Sequence, residues 1–594
     1  MDFLGLDVTI WVVVALYFVG MLLLGWWSKR GIHDRAGFLL GSRQFGVWYM
    51  VMHAFGAGTH PGDVAGVTSK TVERGASGIW VSWMWMFGTP FYWIIAPIVR
   101  RMRCLTMADY FEERFGPAAS VLYILVAGLA GMIVCASVLL ATTRTVQGMM
   151  GKATVVASAV TRPASAPATA AVSAPAGDEG EGQVSEAWAA RGVGSQREAD
   201  AWFLGILLVT TVVFVVYSYW GGIVAAIRTD MIQGLMIIAL SFVAIPVALH
   251  LVGGWSQAKA TLAAATTAQR HNLGLFDPKY FSLLAVPVLC IAAPFSMLGQ
   301  PHLISVTSAG RTEWEGRVGF AYGNVLKRVC TMGWCILGLC WLAFLIRQGA
   351  TVHKDAAFGD SIRYLLPELL QGVMLACVLA AAMSTGDALQ VTTAGLFSQN
   401  IYRRYIRPNA NEAHYVHVTR IAGIVVIAAA LGFAIAMRHS VVESILNYFK
   451  LTAAVGVSVA MGVLWRRMNS VGMFCSTIAA ATVFVVTRFV LDWPQAATGG
   501  LPLIAGVVFG IAGSLLSAPP GREVIERFFR KIYVPIGQEE KLALPLDEAV
   551  PPERRWLTAG GLFLVKPSTQ SWVGFVVTSG ICVVLVGAMW LLLA

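Results

Sequence analysis

The chain has 594 residues, of which 57% are hydrophobic and 13% charged, with a mean hydropathy of +0.68. A soluble protein carries roughly 25% charged residues, so this balance excludes an ordinary water-solvated domain and fits a chain solvated mostly by lipid. The net charge of +11 does not argue for nucleic acid, because Lys and Arg gather in short loops between apolar runs, as orientation signals do.

The first apolar run, "VTIWVVVALYFVGMLLLGWW" from Val8, is long enough to cross a bilayer, which takes about 20 helical residues. It lacks a small-residue cleavage pattern before charge, so it reads as a span and not as a signal peptide. Further spans are predicted at 46–68, 78–99, 118–149, 202–226, 229–252, 280–301, 318–346, 366–398, 416–438, 441–465, 469–491, 501–518 and 572–593, about fourteen in all. Between the fourth and fifth lies Lys152 to Asp200, rich in Ala, Pro, Ser and Gly. Such a composition cannot bury a core and predicts a disordered extracytoplasmic insertion over 152–200. The stretches "SKRGIHDR", "RRMRCLTMADYFEERFG", "RRYIRPNANEAHYVHVTR", "WRRMN" and Arg522 to Lys566 fall on one side of this count. By the positive-inside rule that side is cytoplasmic and the amino terminus is extracytoplasmic. Cys330, Cys335 and Cys340 are five apart and do not share a helical face; they read as small core hydrophobes and not as a metal site. Near the end, the tail from Pro519 to Ser571, with "PPGREVIERFFRKIYVPIGQEEKLALPLDEAVPPERRW", includes an amphipathic basic stretch, which predicts a membrane-surface helix in preference to a partner site.

Two spans carry interruptions. The second contains "GAGTHPGD", Gly56 to Asp63, and the seventh contains "APFSMLGQPH", Ala293 to His302. Paired Gly/Pro interruptions at equivalent places in two halves point to an inverted-repeat transporter with discontinuous helices. There, freed carbonyls coordinate a cation and exposed helix N-termini hold an anionic group. The alternative is a pair of Pro-kinked structural helices, and spacing alone leaves both open.

A third feature is "AAAMSTGDALQ" at 380–390, inside a run otherwise almost free of charge. An acid at the bilayer centre costs roughly 2.5–3.5 kcal/mol on insertion scales, so Asp387 needs a cavity, an ion or a partner. Ser384 and Thr385 offer hydroxyl oxygens, which a hard cation favours. Their other reading is bonding to their own i−4 carbonyls, with Asp387 near a water-filled end.

Five stretches in order then match one family. They are "LTMADYFEERFG" (Leu105 to Gly116), "YSYWGGIVAAIRTDMIQG" (Tyr217 to Gly234), "LGQPHLI" (Leu298 to Ile304), "LACVLAAAMSTGDALQ" (Leu375 to Gln390) and "LWRRMNSVGMF" (Leu464 to Phe474). The chain resembles the sodium:solute symporters, the sodium-coupled sugar, proline and pantothenate carriers with the LeuT fold. The resemblance implies an all-α polytopic membrane protein with a LeuT-like 5+5 inverted repeat over 40–468. One extra helix precedes it (1–39), and about three helices follow (469–594, with a cytoplasmic loop at 519–571).

The resemblance also implies a sodium site between core helices one and eight. Its ligands would be the carbonyls of Ala57, His60 and Ala381 with the hydroxyls of Ser384 and Thr385. Asp230 matches an acid that the family keeps on its fifth core helix. Asp387 departs from the pattern, which usually has a hydroxyl or small residue there. The two acids are expected to lie near one another below the first ion, as a second cation site, proton site or exit step. Candidate solute-lining residues are Thr59, Asp63, Phe295, Met297 and Gln300. The proline carriers have aromatic residues just before "GQP" where this chain has Ala293 and Met297, which leaves the solute open.

The expectation is a Na⁺-driven symporter importing a small organic solute across the cell (inner) membrane by alternating access. Na⁺ is its coupling ion, with no organic cofactor. No nucleophile–base pair, Walker loop or metal motif stands at meaningful spacing, so an enzyme is not expected. The expected partners are solute, Na⁺ and the lipid bilayer; no nucleic acid is expected, and nothing names a protein partner. Two rivals are a proton-coupled LeuT-fold carrier, with Asp387, Asp230 or His60 as relay, and a transporter-like sensor that uses the insertion and the tail.

Overall fold

The computed structural model describes residues 2–3, 5–28, 43–153, 195–220, 223–266, 271–278, 280–350, 352–560 and 562–594. Most of the expected insertion, 154–194, lies outside the described residues, as does the basic loop after the first span. A helix begins or runs through every predicted span, and ten are long and apolar enough to cross a membrane among the described residues.

In chain order, the first span is α1 (Val8–Ser28). The second is split into α2 (Val47–Gly58) and α3 (Pro61–Arg74). The third is irregular: short 3₁₀ and α turns from Gly75 to Phe91 precede α4 (Tyr92–Arg101). Pro90 accounts for its last part, since proline withdraws a donor from the helical ladder. A short amphipathic helix, α5 (Met107–Phe115), leads into α6 (Pro117–Met149). Next come α7 (Gln196–Trp220) and α8 (Ile223–Phe242). The seventh span is again split, into α9 (Ala285–Gly299) and α10 (Leu303–Ser308).

The second half of the core continues with α11 (Glu313–Gln348), the loop helix α12 (Ala357–Leu365) and α13 (Glu368–Gly395). It closes with α14 (Glu412–Ala436) and α15 (Val441–Leu464). Three more spans follow: α16 (Ser470–Val485), α17 (Gln495–Leu515) and α19 (Thr569–Leu593), with α18 (Arg522–Tyr533) between the last two. Many of these starts are written locally. Thr312, Asn411, Ser440, Asn469 and Ser568 each accept a backbone N–H of the first turn that would otherwise lack a partner.

Position decides burial. α2 packs against α8, α11 and α13, and α9 lies along α15. The second contact is close because Gly299 and Gly456 face it. A Cβ at Gly456 would overlap the carbonyl of Phe295, and one at Gly299 that of Thr452. Ser296 Oγ and Thr452 Oγ1 share a hydrogen bond of 2.6 Å across the seam. Cys330, Cys335 and Cys340 are all buried in the core.

The expectation of a membrane-surface helix near the end is corrected. The apolar face of α18, with Phe528, Phe529 and Ile532, is buried against protein. Phe528 sits 5.6 Å from the Tyr110 ring, and Lys531 Nζ bonds Glu113 Oε2 at 2.5 Å. Amphipathicity reports an apolar partner without saying whether that partner is lipid or another helix.

Candidate functional site

The first break is Thr59–His60. Both residues are extended (φ/ψ −121/95 and −102/163), and α3 restarts at Pro61. Proline at the first helical position gives up an N–H that would have had no partner anyway. Asp63, three residues beyond His60, reaches back so that Oδ2 accepts from His60 N at 3.3 Å. At the second break Gln300 is extended and α10 restarts at Leu303 after Pro301. Helix is therefore discontinuous at both predicted interruptions.

Facing the first break is α13. Thr385 Oγ1 donates to Gly56 O at 3.2 Å. Ser384 packs on the Cα of Gly56, where a Cβ would meet its hydroxyl oxygen. The Ser384 hydroxyl donates to Asp230 Oδ1, and the other carboxylate oxygen of Asp230 lies 2.6 Å from His53 Nδ1. His53, Asp230, Ser384 and Thr385 are all essentially inaccessible to solvent. Ala57 on α2 and Ala381, one turn before Ser384, are buried with them. Asp387 is buried one turn further along α13. The contacts of Asp230 run to His53 and Ser384, so this acid is tied to one hydroxyl of the pair.

Beside the break is a cavity of about 60 Å³. Gln300 lines it, as do Ala57, His60 and Thr385. Thr59, Asp63, Phe295 and Met297 are not among its lining residues. Asp63 is turned to Lys327, whose Nζ is 2.7 Å from Oδ2, with both side chains more than nine-tenths buried. The same ammonium bonds the carbonyl of Gly58. Lys327 thus bridges the end of one half-helix and the start of the next. The Phe295 carbonyl faces Gly456, and Met297 belongs to the apolar core.

Other polar residues line the cavity that the candidate set did not include. Asn324, Lys327 and Arg328 come from α11, and His302 from the second break. Arg328 donates through Nη1 to Ser82 O at 2.9 Å and Ser82 Oγ at 3.1 Å, while its buried Nε has no acceptor among the described residues. The signal was present as two adjacent cations in the middle of a spanning run, which by itself marks a functional position.

The family model for sodium:solute symporters matches residues 38–162 and 202–480. The chain belongs to the sodium:solute symporter family. An osmoregulated proline transporter of Bacillus subtilis is 24% identical over 547 residues, covering 90% of this chain and 99% of the relative. A sodium/proline symporter of Haemophilus influenzae is 23% identical, covering 87% and 96%. The structure of a Na⁺-coupled sialic acid symporter, substrate-bound and outward-open, superposes with a TM-score of 0.66 at 16% identity, over 87% of this chain and 99% of that one. At that identity the likeness speaks to the fold, which is that of the LeuT-like symporters. This symporter-family chain is accordingly a multi-pass membrane protein.

Proposed function

We propose that the protein is a Na⁺-coupled symporter that imports a small organic solute across the cell (inner) membrane, with residues 40–468 as its transport core and the amino terminus outside. The observation that carries this reading is the unwound backbone at Thr59–His60 facing the hydroxyls of Ser384 and Thr385. Na⁺ is a hard cation that favours several oxygens at once. Carbonyls of Ala57, His60 and Ala381 with the two hydroxyls would supply them without a full carboxylate in direct contact. Asp230 then holds the Ser384 proton, so that the hydroxyl oxygen turns its lone pairs toward the ion.

The solute is a compact amino acid with a carboxylate, and proline is the first candidate. Curated relatives of similar length are proline transporters. Arg328, beside the cavity with an unused N–H, suits a carboxylate. Trp85, Tyr92 and Phe449 offer apolar walls to a small ring. The test is uptake of labelled L-proline into proteoliposomes at fixed pH, with Na⁺ outside or choline in its place. Uptake should require Na⁺; uptake of equal rate in choline overturns the coupling assignment. Failure of proline with success of another amino acid overturns only the solute.

One observation favours a second reading, coupling to protons. The His53–Asp230 pair, 2.6 Å apart and buried, is a candidate relay directly beneath Ser384. Under it, a pH gradient alone drives uptake in choline, and His53→Gln abolishes that uptake.

A further inference from the structure

At the start of α19 lies a second polar cavity of about 280 Å³. It is lined by α4 (Pro97, Ile98, Arg101), by the loop before α19 (Glu553, Arg554, Lys566) and by the hydroxyl residues Ser568, Thr569 and Ser571. A small β-hairpin, Arg555–Leu557 with Leu564–Val565, holds the two arms of this loop together. Arg101 is already engaged, donating to Glu313 at 2.7 and 2.8 Å. Arg554 and Lys566 form no ion pair among the described residues. Beneath the hydroxyls lies Arg317, more than nine-tenths buried, donating to Ser568 Oγ at 3.0 Å and Ser571 Oγ at 3.3 Å. Its Nε has no acceptor among the described residues.

The charges around this cavity do not balance. Arg101, Arg317, Arg554 and Lys566 face two carboxylates, Glu313 and Glu553. The first turn of α19 adds the positive end of a helix dipole. Of its amides, that of Ser571 is taken by Ser568 Oγ, while those of Thr569 and Gln570 find no acceptor among the described residues. Cations in excess, hydroxyl donors and free helix amides together suit a phosphate.

What surrounds the pocket says where that phosphate comes from. α19 is a spanning helix, so its first turn stands at the level of the lipid headgroups. Trp556 and Trp572 stand exposed there with ring centroids 5.8 Å apart, and Phe575 follows at 6.0 Å from Trp572. Exposed tryptophans at a span end mark the interfacial belt. We propose that this pocket holds the phosphate of an anionic phospholipid from the adjoining leaflet, through Arg554, Lys566 and the α19 amides. Basic pockets between spanning helices are a recurrent way to hold such headgroups.

The test is a titration of the purified full-length protein in a neutral detergent, reading apparent thermal stability. The probes are phosphatidylglycerol, phosphatidylcholine and inorganic phosphate. Phosphatidylglycerol should raise the midpoint, and the other two should not at the same concentration. The Arg554→Gln/Lys566→Gln double variant should need at least tenfold more phosphatidylglycerol for half the shift. Arg522→Gln, a control at a fully exposed cation on α18, should not. The Arg554→Lys/Lys566→Arg double variant keeps both charges, so it should keep the shift and separate charge from folding damage. Equal shifts with phosphatidylcholine, or an unchanged titration in the Gln double variant, overturn the proposal. A shift with inorganic phosphate equal to that with the lipid overturns the lipid as ligand.

Discussion

Lys327 is predicted to hold the first break in register, and the prediction can be sized. Its ammonium reaches Gly58 O at the end of α2 and Asp63 Oδ2 in the first turn of α3. Lys327→Met leaves Asp63 as a buried charge with its cation removed, which typically costs about 3–5 kcal/mol. It also strips the donor from Gly58 O, worth about 1–3 kcal/mol more for a buried carbonyl. Asp63→Asn leaves the ammonium uncompensated, though still bonded to Gly58 O, so its loss should be somewhat smaller. In Asp63→Asn/Lys327→Met no charge is stranded. The double variant should therefore be more stable than Lys327→Met, with a coupling of at least about 2 kcal/mol. The assay is thermal inactivation of detergent-purified protein, scored by monodispersity at a fixed heating rate because unfolding of such proteins is seldom reversible. Additive losses, or a Lys327→Met variant as stable as the parent, would refute the clamp.

Ser384→Ala and Thr385→Ala should each raise the Na⁺ concentration that half-saturates uptake by about tenfold or more, from the roughly 1.5–3 kcal/mol of a hydrogen bond or ligand contact to a charge. A change below threefold in both would argue against the hydroxyl pair as ligands. Gly456→Ala should abolish transport in protein that still inserts, because its Cβ overlaps the Phe295 carbonyl and must push α9 off α15; uptake at the parent rate would show that the seam yields. Asp360, on α12 outside the spanning helices, has its carboxyl pushed up to about 8 by burial, with Arg363 opposing. The folded protein holds this proton where the unfolded chain, with a carboxylate near 4, has lost it. Its stabilising effect is therefore full below about pH 4 and is lost progressively up to about pH 8. Apparent thermal stability should decline across that window, and Asp360→Asn should flatten the decline.

Much of this architecture was legible because it is written locally. "GAGTHPGD" and "GQP" carry the Gly and Pro that end one helix and begin another, and the chain breaks at those places. The hydroxyl pair stood out because it stands beside an acid in a run otherwise almost free of charge. What was illegible depends on distant pairing. His53 meets Asp230 across 177 residues and Lys327 meets Asp63 across 264, and no local period encodes either contact. Asp63 looked like a solute-facing acid because its counter-ion was out of sight. Lys327 and Arg328 were missed for another reason: averaged over a strongly apolar 36-residue helix, two cations disappear into the mean. The membrane-surface expectation for α18 failed because an apolar face does not say what covers it.

The same five residues of backbone serve both ligands of the proposed mechanism. Gly56 O receives the hydroxyl of Thr385 on the cation side, while Gly58 O receives Lys327. Ala57, Gly58 and His60 also line the cavity. An ion that fixes the carbonyls of this segment orders the wall on which the solute rests, and a solute pressed on that wall orders the carbonyls. Neither effect needs a contact between ion and solute. Linkage makes the coupling reciprocal: the factor by which Na⁺ tightens solute binding must equal the factor by which solute tightens Na⁺. Equilibrium binding of proline with and without Na⁺, and of Na⁺ with and without proline, measures both factors on one preparation. A coupling of 1–3 kcal/mol predicts about 5- to 150-fold in each direction. Thr385→Ala should bring both factors toward one together. If Thr385→Ala weakened Na⁺ binding yet left the Na⁺ effect on solute at its parent value, the shared segment would not be the link.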